Sequence, residues 1–286
     1  MAALSAVTYE RPRTLDDALR SVAERDCAVL CGGTDFFPER LYRPRREIIV
    51  DIADVDELRG IEESATTWRI GAATTWRTVH EAALPRSFEG LRRAAGHIGG
   101  QQIQNAGSVG GNLCTASPAG DGIPPLLTLN ASVELQSLAG SRILALEDFV
   151  VGYRQTALQP GELLTAILIP KPSQDARGSF VKLGLRAHLV ISIAMVAALV
   201  VIENGIVSSA RIAVGACSPV ASRQHSFEKA LVGCAHHRHV VEAVLAGCDL
   251  TGFAPIDDVR GSRDYRTNIV RQLVADAIFQ GEERNE

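Results

Sequence analysis

Two Gly-Gly pairs, each beside a hydroxyl, constrain this chain more than any other feature. "CGGTDF" spans 31–36 and "SVGGN" spans 108–112. A Gly-Gly pair just after a strand exposes backbone N–H groups without Cβ obstruction, and such groups cradle a pyrophosphate, with Ser or Thr hydroxyls adding donors. One such loop, taken singly, reads more readily as a tight turn or a close approach of two backbones. Two of one kind in one chain point toward a dinucleotide phosphate site. Neither loop is G-x-G-x-x-G or G-x-x-x-x-G-K-[ST], so an ordinary Rossmann or P-loop site is not indicated. The second loop runs on through "LCTASPAG" to a lone carboxylate, Asp121. Spacing leaves two readings of it: an acceptor for ribose or ribityl hydroxyls, or the N-cap of a helix over "GIPPLL".

Composition excludes several partners. The 286 residues carry a formal charge of -4 with no dense Lys/Arg stripe, which argues against nucleic acid. The longest apolar run, "LVISIAMVAALVVI" at 189–202, falls short of the roughly 18–20 residues a membrane helix needs. The N-terminus shows no signal-peptide pattern, so the expected location is cytoplasmic. Six cysteines occur without a C-x-x-C pair, and most of them read as small buried hydrophobes rather than disulfides or cluster ligands. "CAHHRH" (234–239) tempts as a metal site, but adjacent histidines on a helix point about 100° apart. A solvated loop or helix start is preferred there, as is packing for Trp68 and Trp76, and a solvated loop for the basic "RLYRPRRE" at 40–47.

Along the chain, Thr14 and Asp17 form a capping box for a helix over 15–25. Ala28–Cys31 reads as a short buried strand, and "EIIVDIADV" as another. "WRIGAATTWRTVHEAAL" reads as a strand through Ile70 followed by a Thr-capped helix. After Asp121 a short helix and a strand follow, then the strand "GELLTAILIP". "PKPSQDARG" is the best domain boundary. Beyond it, two β-rich runs flank Asn204-Gly205, the pair favoured in type I′ hairpin turns. Three helical segments close the chain, giving an α+β chain in two parts divided near 175.

The motifs "VLCGGTDFFP", "IIVDIADVDELRGIE", "HIGGQQIQNAGSVGGNLCTASPAGDGIP", "GELLTAILIP", "FVKLGLR", "ARIAVGACSPVASR" and "DYR" resemble the FAD-binding medium subunit of the molybdenum hydroxylases, the xanthine dehydrogenase, carbon monoxide dehydrogenase and aldehyde oxidoreductase group. The resemblance implies an FAD-binding domain of the p-cresol methylhydroxylase type over 1–175, with two subdomains split near 55–60. A smaller C-terminal α+β domain with an antiparallel sheet would follow over 176–286. It implies noncovalent FAD with its pyrophosphate between the two glycine loops. Val29, Leu30, Cys31, Gly32, Gly33, Thr34, Asp35 and Phe36 would form the first loop. Ser108, Val109, Gly110, Gly111 and Asn112 would form the second. Asp121 would meet sugar or ribityl hydroxyls, Ile98 and Leu164 the flavin or its chain. Lys182 and the segment at Ile191 would approach the isoalloxazine. No catalytic residue and no metal ligand is expected on this chain.

The same resemblance implies partners: a large subunit with a molybdenum–pterin centre, a small subunit with two [2Fe-2S] clusters, a dimer of heterotrimers, and an external electron acceptor. The chain departs from the family at Cys31, where Ala is common, and at Gln104, where "QIRN" has become "QIQN". After Lys182, "LRAHLVIS" places His188, Leu189 and Val190 where relatives often carry acids, which makes the flavin neighbourhood less charged and disfavours NAD as acceptor. The cysteines do not cluster, so the iron–sulfur insertion of the benzoyl-CoA reductase branch is missing. Two other function classes compete with this one: a stand-alone flavin oxidoreductase of the same fold, and a scaffold that has lost FAD. The lack of a covalent-flavin His motif opposes the first, and the intact glycine loops oppose the second.

Overall fold

A computed structural model describes residues 7–23, 26–39, 48–186 and 189–281. The basic segment 40–47 and His188 lie outside the described residues. Strands β1 (Thr8–Glu10), β2 (Cys27–Leu30) and β3 (Ile48–Asp51) form a parallel sheet in the order β1-β3-β2. The crossover helix Leu15–Ala23 begins as its sequence predicts: Thr14 Oγ1 accepts from the Asp17 N–H and donates to its carboxylate. Its Ala18, Leu19 and Val22 pack on Val50 and Ile52 in a small core of their own.

A second sheet holds β4 (Ile61–Glu63), β5 (Thr67–Gly71), β6 (Ser132–Ser137) and β7 (Gly140–Ala145), joined by β10 (Leu163–Pro170) after the short pair β8 (Val150–Gly152) and β9 (Gln155–Thr156). Its order is β4-β5-β10-β6-β7, and every pairing is antiparallel. Five helices run between β5 and β6: Trp76–Glu81, Glu89–His97, Gln101–Ala106, Val109–Thr115 and Ile123–Thr128. Thr75 caps the first by accepting from Thr78 N. Trp68 and Trp76 are packing residues, 9% and 1% exposed, in the largest core.

The third sheet is the antiparallel β11 (Arg177–Leu183), β12 (Ala194–Glu203), β13 (Ile206–Gly215) and β14 (Ser222–Arg223). Both residues of the Asn204-Gly205 turn have positive φ, 52° and 74°, as type I′ requires. The long apolar run of the sequence resolves into β12 and the approach to it. Its Val196, Ala198 and Val200 face the C-terminal helices, while Met195 and Ala197 meet Ala94 of helix Glu89–His97. Cover on both faces explains a strand without polar alternation. Among the described residues no helix is long and apolar enough to cross a membrane. At "CAHHRH", His237 precedes helix Arg238–Ala246, His236 stacks on Phe279 at 4.5 Å, and no group of metal-ligating side chains forms among the described residues.

Candidate cofactor cleft

The two glycine loops meet at one cleft of about 470 Å³, lined from the first loop, the second loop and the following turn through Gly120. That size is ordinary for a small-molecule or cofactor site. The loops are not equivalent. In the second, Val109 N donates to Thr74 O, Gly110 N to Ala72 O, Gly111 N to Ser108 Oγ and Asn112 N to Ser108 O. Those N–H groups build the start of helix Val109–Thr115 and tie it to the end of β5. In the first, the N–H groups of Gly33, Thr34 and Asp35 donate to no backbone carbonyl among the described residues. Gly33 has φ +71°, so the chain turns with successive N–H groups open, the geometry of an anion nest.

The glycines also serve packing. A Cβ on Gly32 would lie 1.8 Å from Ala106 O, and one on Gly110 would lie 2.7 Å from Ala72 Cβ and 2.8 Å from Ala72 O. Both close approaches are of backbone to backbone or to its Cβ. Gly32 and Gly110 thus meet the turn-or-packing reading, while Gly33 gives the first loop the open turn that the cradle reading requires.

Side chains join the loops further. Burial pushes up the pKa of the Cys31 thiol, opposed by the neighbouring Ser108 hydroxyl. Asp35 accepts from Arg154 Nη1 at 2.9 Å and Nη2 at 3.3 Å, and from Thr115 Oγ1 at 3.2 Å. Arg154 sits in the β8–β9 turn with φ 53°, so this pair ties the first loop to the sheet domain across 119 residues. Asn112 Oδ1 is buried with no hydrogen-bond partner.

Of the residues expected at the site, Val29, Cys31 and Gly32 through Phe36 line the cleft, as do Ile98, Ser108, Gly110 to Asn112 and Leu164. Leu30 and Val109 do not: they are 8% and 0% exposed and belong to the core, Leu30 because successive strand residues face opposite ways and its neighbour Val29 takes the cleft side. Ile191 is 58% exposed and stands outside the lining. Asp121 and Lys182 lie behind the cleft wall. Lys182 Nζ donates to Asp121 Oδ2 at 2.5 Å and to His97 O at 3.2 Å, and Ser192 Oγ donates to Asp121 Oδ1 at 2.6 Å. Both carboxylate oxygens are thus engaged within the protein. Burial raises the Asp121 pKa, opposed by Lys182 and Ser192. The helix that follows starts from Gly122 with no side-chain cap, so the N-cap reading of Asp121 is not realised. Gln104 also turns inward, its Nε2 donating to Gly96 O at 3.0 Å.

Trp76, read from the sequence as packing, also reaches the cleft lining, and the residues that sequence reasoning passed over include Cys114, Thr115, Ser117 and Gly120 on the cleft wall. Their run of small residues directly after the second loop was the available signal.

The family model "FAD binding domain in molybdopterin dehydrogenase" matches residues 5–172. "CO dehydrogenase flavoprotein C-terminal domain" matches residues 179–280. This chain belongs to the FAD-binding subunits of the molybdenum hydroxylase family. It is 36% identical to the nicotinate dehydrogenase FAD-subunit of Eubacterium barkeri over 192 residues, 64% of each chain. The putative xanthine dehydrogenase FAD-binding subunit of Escherichia coli K12 is 30% identical over 96% of this chain and 95% of its own. Among solved structures, the reconstituted CO dehydrogenase from Oligotropha carboxidovorans superposes with a TM-score of 0.85 at 29% identity, covering 96% of both chains.

The cleft fits FAD on its own chemistry. It offers open N–H groups for phosphate oxygens, an orphaned amide oxygen for a hydroxyl donor, and apolar walls from Ile98, Ile103 and Leu164 for a ring system. The chain is accordingly a flavoprotein subunit of an oxidoreductase.

Proposed function

We propose that this chain is the FAD-carrying electron-transfer subunit of a heteromeric molybdenum hydroxylase, taking electrons from [2Fe-2S] clusters of a small partner subunit and passing them to an external acceptor. Bound FAD would supply the two-electron chemistry. The chain's own residues bind and orient it. Gly33, Thr34 and Asp35 would hold the pyrophosphate, Asn112 would accept from a sugar hydroxyl, and Ile98 and Leu164 would flank the isoalloxazine. Asp121, Lys182 and Ser192 would support that wall from behind. The single observation that carries the reading is the open N–H row of the first loop, facing the second loop across one cleft.

On this reading the FAD-binding domain spans 1–175, its two subdomains divide near 55–60, and 176–286 form the C-terminal domain. The relatives are medium chains named for multi-subunit enzymes, such as the carbon monoxide dehydrogenase medium chain of Afipia carboxidovorans. By the same reasoning this chain assembles with a small and a large subunit, as a dimer of heterotrimers, in the cytoplasm. Leu189, 57% exposed and packed over Gly100, supports an acceptor other than NAD, because this stretch lacks acidic groups.

Purification from the native host tests the assembly. The expected result is copurification with two further chains that carry iron, sulfide and molybdenum. A yellow chain recovered alone, turning over a small substrate without partners, would support the stand-alone flavoenzyme instead.

A further inference from the structure

The "DYR" motif near the C-terminus ends in Arg266, which is 2% exposed and far in sequence from both glycine loops. A guanidinium buried to this degree requires several acceptors. Arg266 has four. Its Nη2 donates to Asp258 Oδ1 at 2.7 Å and its Nε to Gly261 O at 3.3 Å. Its Nη1 donates to Ile193 O and, at 3.4 Å, to Ala216 O.

The last two acceptors carry the argument. Ile193 follows Ser192, whose hydroxyl holds Asp121 Oδ1 at 2.6 Å. The N–H of Ala216 donates to Pro118 O at 2.9 Å, and Ala216 has φ 61°. Pro118 and Asp121 belong to one short turn whose Ser117, Ala119 and Gly120 line the cleft. One guanidinium thus fixes two separate backbone segments, and each of them grips the same turn of the cleft wall.

We propose that Arg266 is a positioning residue for the cofactor cleft, holding the turn 117–121 in place through Ile193–Ser192–Asp121 on one side and Ala216–Pro118 on the other. It touches no cleft-lining surface itself and acts through these two bridges. The inference rests on the FAD reading for its functional consequence, and on the hydrogen bonds alone for its structural one.

The test compares Arg266→Lys in the full chain with Phe227→Leu, a substitution in the C-terminal core away from the turn. Amide hydrogen exchange of the flavin-free protein comes first. Arg266→Lys is expected to speed exchange selectively at 117–121 and 191–193, whereas Phe227→Leu speeds it around its own helix. FAD titration followed by visible circular dichroism comes second. Arg266→Lys is expected to weaken FAD about tenfold and alter the flavin signal, the scale set by support behind a ligand-holding shell. Phe227→Leu is expected to keep both at the wild-type level. Equal exchange at 117–121 in the two variants, or an unchanged flavin signal in a variant that binds FAD normally, overturns the proposal. A wild type that takes up no FAD overturns the functional reading instead, and the exchange comparison still decides on Arg266. Asp258→Asn, which neutralises the guanidinium's carboxylate partner, serves should Arg266→Lys fail to fold.

Discussion

At the scale of single residues, the glycines divide by task. Gly33 turns the first loop so that N–H groups stay open, while Gly32 and Gly110 let backbones touch. Gly110→Ala is therefore expected to destabilise the flavin-free chain by about 1–3 kcal/mol through overpacking against Ala72. Gly252→Ala is the control, since a Cβ there meets nothing within 4 Å. Equal denaturation midpoints for the two variants would refute the packing role. The Asp121–Lys182 pair gives a second prediction. Both side chains are 7% exposed. Asp121→Leu strands a buried ammonium and is expected to cost about 3–5 kcal/mol, whereas Asp121→Leu with Lys182→Met costs less than the single change. Urea titration of the three proteins checks this, and a double variant less stable than the single one contradicts it.

At the scale of elements, local chemistry was readable wherever it acts within a few residues. Thr14 and Thr75 cap the helices their positions predict, and Asn204-Gly205 turns the hairpin. The all-apolar β2, CAVL, gave no sign of which residues turn inward, and a motif match placed Leu30 at the site although it is buried. Links between distant segments were not readable. Asp35 and Arg154 are 119 residues apart, Lys182 and Asp121 61, and Arg266 and Ile193 73. No local pattern encodes such pairings, because they arise only once distant segments have packed together. Glu228 in helix His225–Leu231 combines near partners, Arg223 and His225, with the Ile212 N–H 16 residues away. Burial pushes its pKa up, but the Arg223 guanidinium, the Ile212 N–H and His225 outweigh burial and hold it below the ordinary 4.5. The stability it contributes is complete above 4.5 and is lost as pH falls through the lowered native value. Glu228→Gln is expected to lower stability at neutral pH by about 2 kcal/mol and to flatten its decline in acid. A variant with the same acid slope as wild type would show that Glu228 is not the titrating group.

At the scale of the whole molecule, the cleft is a joint product of three sheets. The parallel sheet supplies the open loop, the five-stranded sheet and its helices supply the second loop, and the C-terminal sheet braces the turn behind it. The isolated chain is expected to show no hydroxylation of aldehydes or N-heterocycles, and turnover by it alone would defeat the relay reading. The central claim is that FAD lies between the two glycine loops, where Cys31 and Cys114 line the cleft. Cys234, half-buried and outside the lining, is the internal reference. The most direct measurement is the rate of alkylation of each cysteine by N-ethylmaleimide, read by peptide mass spectrometry with and without FAD. Stoichiometric FAD is expected to slow labelling of Cys31 and Cys114 and to leave Cys234 unchanged. Bound FAD with undiminished labelling of Cys31 and Cys114 would contradict that placement.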